Sequence, residues 1–131
     1  MRRRPDPSQE GGTAAVEFAL VLPLVLVVAL ALVQTGLVVR DRLLVEAAAR
    51  AGARAAAVEE DPAAIRSAAL AAAPSLVDGA VVLDVSRVGV RGEPVTVSLR
   101  YDAPVRVPFV EWLFGTAIGI AAETTARQEF G

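Results

Sequence analysis

The sequence predicts an α+β chain: one long N-terminal membrane helix, a short second helix, and a small antiparallel sheet of about three strands. Three observations carry this. From Phe18 to Val39 only Gln34 and Thr35 are polar and nothing is charged, a run long enough to cross a hydrocarbon core of about 30 Å as a helix. Strong helix formers then continue from Arg40 with no proline before Pro62, so the helix does not stop at the membrane face. From Ala80 the apolar period changes to two, the repeat of strands with one covered face.

Composition bounds the function. At 131 residues the chain leaves room for one small domain beside the apolar segment, which accounts for much of the 54% hydrophobic content. The net charge is −2 with scattered arginines, so there is no basic footprint for nucleic acid. Cysteine and histidine are both absent. That removes disulfides, thiol nucleophiles, histidine acid–base chemistry and the usual zinc sites together, and no metal site or cofactor is expected.

Residues 1–12 carry Arg2, Arg3 and Arg4, then Pro5, Pro7, Gly11 and Gly12, a basic, helix-breaking leader of the kind that stays cytoplasmic. A cleaved secretory signal is the competing reading. Against it, the apolar run exceeds an ordinary signal core and no small-residue cleavage pattern follows. Arg40, Arg42, Arg50 and Arg54 lie on the far flank, so charge alone does not orient the span; the cytoplasmic N-terminus rests on the leader.

The long helix is expected over residues 13–58, with 18–39 in the membrane and a length of roughly 69 Å at 1.5 Å per residue. Gly11 and Gly12 end the leader, Thr13 is a candidate cap, and Glu17 lies near the positive end of the helix dipole. Pro23 deletes a backbone hydrogen bond and should kink the membrane half, and Gly36 offers a close-packing or bending point. Farther on, Leu43, Leu44, Ala47, Ala48, Ala51 and Ala55 recur at helical spacing opposite Arg42, Glu46, Arg50 and Arg54. Ala48, Gly52 and Ala56 form a line of small residues that admits close approach, by the protein's own sheet in the plainer reading or by another helix.

Residues 59–131 form the small extracytoplasmic α+β domain. Asp61 caps and Pro62 opens a short alanine-rich helix ended by Pro74, read as a lid. Val81, Leu83 and Val85 define one strand; Val95, Val97, Leu99 and Tyr101 define the next, across a glycine-containing turn at Gly89 to Glu93. A third strand is read near Ile118 to Arg127. Between strands two and three, Pro104 and Pro108 bracket an extended piece, and Phe109, Trp112 and Leu113 share one face of a short helical turn. These aromatics either plug the gap between sheet and helix, the preferred reading, or form an exposed contact patch for a neighbouring subunit.

Glu17 needs explaining, because an ionised carboxylate at the mouth of a membrane helix is costly unless paired or interfacial. By physics alone it sits at headgroup depth and favours the helix N-terminus. The string from Gly12 through Thr13, Ala14, Ala15, Val16, Glu17 and Phe18 to Pro23 resembles the start of the TadE-like pseudopilins of tight-adherence, Flp-type pili, over about the first third of the chain. The resemblance implies a pilin-like lollipop: a prepilin cut between Gly12 and Thr13 by a membrane aspartyl prepilin peptidase, with Glu17 as fifth mature residue. Thr13 departs from the phenylalanine common there in typical type IV pilins, although small residues suit the Flp and TadE-like branch.

The implied function is a minor pilin or pseudopilin, non-enzymatic, single-pass in the cytoplasmic (inner) membrane and bound for an extracellular pilus. Its implied partners are the prepilin peptidase, other pilins, the pilus assembly platform and the lipid bilayer. Glycine leaves the scissile bond unobstructed. The new Thr13 ammonium and Glu17 of an adjacent subunit form an opposite-charge pair that sets register. A second reading is a signal-anchored envelope protein that is neither cleaved nor assembled, with a partner- or wall-binding domain. An enzyme is the third: Asp78, Asp84, Glu93, Asp102, Glu111 and Glu123 supply carboxylates, but no spacing organises them into a catalytic site.

Overall fold

The computed structural model describes residues 7–76 and 80–129, with side chains from Gly12 onward. Most of the basic leader, and Asp78, lie outside these residues. In order come α1 (Pro7–Val58), α2 (Pro62–Ala71), β1 (Val81–Arg87), β2 (Pro94–Pro104), α3 (Glu111–Phe114) and β3 (Ala117–Arg127). The sheet has the order β1-β2-β3 and is antiparallel throughout, with Leu83 opposite Leu99 and Leu99 opposite Ala122. The fold class is α+β, as the sequence predicts.

α1 is one helix of 52 residues with Pro23 inside it, about 78 Å long at 1.5 Å per residue. It begins earlier than expected. Gly11 and Gly12 are helical, so they do not end the leader and Thr13 is not its cap. A helical glycine costs about 1 kcal/mol relative to alanine, which weakens a helix without stopping it, and Pro7 suits a first helical position.

The second half of α1 carries the domain. Val45, Ala48, Ala49, Ala53, Ala56 and Ala57 are buried, whereas Leu43 and Arg54 are exposed and Ala47, Ala51 and Ala55 half-buried. Of the face expected from Leu43, Leu44, Ala47, Ala48, Ala51 and Ala55, Ala48 is buried and Leu44 packs against the core, but the covered face as a whole is rotated toward Val45, Ala49, Ala53 and Ala56. The sheet docks where side chains are smallest. A Cβ built on Gly52 would lie 3.3 Å from Val97 Cγ1 and 3.4 Å from Ala69 Cβ, so the small line of Ala48, Gly52 and Ala56 serves the protein's own sheet and α2.

Two apolar clusters run along this face. Val45, Ala48 and Ala49 pack with Leu99, Tyr101, Ala103 and Ile120; Ala53, Ala56 and Ala57 pack with Ile65, Val95 and Val97. β2 thus descends α1 toward its N-terminal half as its residue numbers rise. The Asp61 carboxylate accepts from Ala63 N–H at 3.1 Å to cap α2, which buries Ile65 and Ala69. Gly89 and Gly92, at φ +83° and +87°, supply the left-handed turns of the β1–β2 connection.

Candidate functional site

Below the domain α1 is bare. From Gly12 to Val33 every residue is exposed except Val27, Leu30 and Ala31, which are half-buried. Among the described residues this is the one helix long and apolar enough to cross a membrane. Gly12 has no atom near the position a Cβ would take. Glu17 is exposed and makes no ion pair among the described residues. It lies one helical turn beyond Thr13, on the same helix face. Gly36 also faces open space, and the helix passes through Pro23.

The apolar stretch ends in a polar clamp. Gln34 is only 1% exposed, and Asp41, seven residues on, 2%; that spacing puts both on one helix face. Gln34 Oε1 accepts from the backbone N–H groups of Arg106 at 3.1 Å and Val107 at 3.2 Å. Asp41 Oδ2 pairs with Arg106 Nη1 at 2.9 Å. The clamp fastens the loop between β2 and β3 to α1, satisfying two backbone donors and a buried carboxylate together. Residues 34–38, expected to end the membrane span, thus include Gln34 and Val38 packed under the domain.

That loop holds the aromatics. Phe109, Trp112 and Leu113 are 78%, 74% and 53% exposed, so the preferred expectation of a plug between sheet and helix is wrong. Val107 and Val110 are the buried residues there. The loop is closed at its base by Val105 N–H bonding Thr116 O at 3.1 Å. Phe109 sits at φ +66°, a left-handed conformation that costs a non-glycine residue roughly 1–2 kcal/mol.

The sequence reading missed Gln34, Asp41 and Arg106 as a unit. The available signal was a lone glutamine in an apolar run with a lone aspartate seven residues later, both needing partners if covered.

Comparison with known families bears on the stretch that the geometry leaves bare. Residues 12–54 match the family described as TadE-like protein. The TadE-like segment begins at Gly12, includes Glu17 and the exposed apolar run, and continues onto the face of α1 that carries the domain. It covers about a third of the chain. The likeness to that family is confined to this segment. No curated protein and no solved structure matches the chain.

Proposed function

We propose that this chain is a minor pilin or pseudopilin of the TadE-like kind, a non-enzymatic subunit of a tight-adherence pilus. A prepilin peptidase processes it after Gly12, and it assembles through α1. The observation that carries the reading is the TadE-like match opening at Gly12, ahead of an apolar helix with no covering in its own fold. Before assembly the bare half of α1 lies in the inner membrane with its N-terminus cytoplasmic. In the pilus, neighbouring helices replace lipid.

Processing in this reading needs local unwinding, since Gly11 and Gly12 are helical and a protease takes its substrate extended. Two adjacent glycines make that turn the cheapest to open, each about 1 kcal/mol below alanine in helix propensity. Cleavage leaves an ammonium on Thr13, and Glu17 of a neighbour supplies the opposite charge. The pair gives register, while packing of apolar helices supplies most of the association energy. The assembly platform and other pilins are the remaining partners.

The test is the mature N-terminus. Expressed with an active prepilin peptidase, the wild type should begin at Thr13 and Gly12→Val should keep its full mass. Glu17→Ala should be processed yet recovered poorly in sheared pili. An intact leader on the wild type would instead support the uncleaved envelope anchor, a reading that the continuous helix through Gly12 favours.

A further inference from the structure

The β2–β3 loop stands at the membrane-proximal end of the domain. β2 reaches that end because Val95 and Val97 pack near Ala53 and Ala56, whereas Leu99, Tyr101 and Ala103 pack near Val45 and Ala49. Arg106 and Val107 then bond Gln34, the first buried residue of α1 after the bare stretch that ends at Val33; Val39 and Leu43 are exposed apolar positions beyond it. On the helix face leading down from Gln34, Val27, Leu30 and Ala31 are the only half-buried residues of the bare stretch. With Glu17 at headgroup depth, the bare charge-free run from Phe18 to Val33 rises about 24 Å, and the roughly 30 Å of a hydrocarbon core ends about one helical turn past Val33, close to the clamp at Gln34. A bilayer seated on this stretch therefore has one boundary at the level of the loop.

At that level the loop exposes Phe109, Trp112 and Leu113, and α1 below Gln34 exposes its own apolar side chains. Phe109 is held outward in a left-handed backbone conformation although it packs on little in its own domain. Strain retained for an exposed apolar side chain points to a use outside the fold. The loop is pinned at Thr116 and at Gln34, so the segment carrying the three side chains is anchored at its base. Arg40 and Arg42, both exposed, lie about 9–12 Å farther along α1, at a height suited to phosphate groups. Tryptophan with an apolar neighbour is the pairing that membrane interfaces favour.

We propose that the loop from Val105 to Thr116 is a membrane-seating foot. Phe109, Trp112 and Leu113 enter the headgroup–acyl boundary of the leaflet from which α1 emerges, fixing the depth of the helix and the height of the domain while the protein resides in the membrane. The foot rests on the reading that the bare half of α1 spans a bilayer. Glu111, exposed beside Trp112, stays in the headgroup layer.

Trp112 is the only tryptophan of the chain, so intrinsic fluorescence of the full chain reports the foot directly. The protein is reconstituted in phosphatidylcholine–phosphatidylglycerol vesicles whose lipids carry bromine near the top of the acyl chains or near their ends. The foot predicts blue-shifted emission, strong quenching by the shallow bromines, weak quenching by the deep ones, and protection from aqueous acrylamide. Phe109→Ser combined with Leu113→Ser should reduce the shallow quenching. Water-like emission open to acrylamide and untouched by bromine overturns the proposal. So does protection from acrylamide without bromine quenching, which would mean that a second protein copy covers the patch. A Trp112→Phe, Leu24→Trp chain tests the span separately. Deep quenching there with no Trp112 quenching sinks the foot alone, whereas no quenching at either position sinks foot and span together.

Discussion

Arg106 meets α1 twice, through its backbone N–H to Gln34 and its guanidinium to Asp41, and the two ends of the ion pair are not equivalent. Asp41 is buried, whereas the Arg106 side chain is a third exposed. Removing the arginine strands a buried carboxylate; removing the carboxylate lets the guanidinium turn to water. Arg106→Ala should therefore cost about 2–4 kcal/mol and Asp41→Ala about 1–2 kcal/mol. The double variant should be less destabilised than the sum of the two. Denaturant unfolding of all three checks this, and equal, additive losses would show that the pair is uncoupled. The clamp was not legible in the sequence because its halves lie 65 residues apart and each has a local explanation: Gln34 as a tolerated polar residue in a span, Asp41 as a charge at its border. Glu17 stands in contrast: its sequence context is local, and the fold leaves it exposed.

At the scale of elements, what the sequence makes legible follows how far each pattern depends on partners. The strands show through because alternation is intrinsic to a half-covered sheet: Val95, Val97, Leu99 and Tyr101 are buried in turn along β2. Asp61 and Pro62 mark the start of α2 by local hydrogen-bond chemistry. The covered face of α1 was legible in part: the small line of Ala48, Gly52 and Ala56 takes the protein's own sheet, as the plainer reading had it, whereas Leu43, which hydrophobic size would choose, is exposed. Two of the glycines of α1, Gly52 and Gly36, should behave oppositely. Gly52→Leu drives a side chain into Val97 and Ala69 and should destabilise the domain by about 1–3 kcal/mol through overpacking. Gly36→Leu meets nothing and should leave the thermal midpoint unchanged or slightly raised. Reduced recovery of Gly36→Leu in pili with normal stability would assign Gly36 to packing between subunits.

On the scale of the whole molecule, the chain divides by burial rather than by secondary structure. One continuous helix serves two environments, and the division falls near Gln34 instead of at Val39, where the charge-free run ends. Among the described residues all buried apolar side chains lie between Val45 and Ile120, and the clamp extends the domain's hold on α1 back to Gln34. A chain beginning at Val28 keeps every buried residue and sheds most of the bare apolar helix. It should be soluble and monomeric, and should unfold in one cooperative transition. A chain beginning at Arg42 keeps every buried residue of both apolar clusters but loses Val38, which packs against one of them, together with Gln34 and Asp41, leaving two backbone donors and the Arg106 guanidinium without these partners. It should be less stable by about 2–4 kcal/mol, with fast amide exchange concentrated between Val105 and Thr116 while β1 and the middle of β2 stay protected. Hydrogen exchange on the two fragments decides the matter. If the longer fragment fails to fold in water, the bare half of α1 contributes to the domain in a way its exposure does not account for. If both fragments fold with the same protection in the loop, the clamp is dispensable and the foot must be held from its Val105–Thr116 base alone.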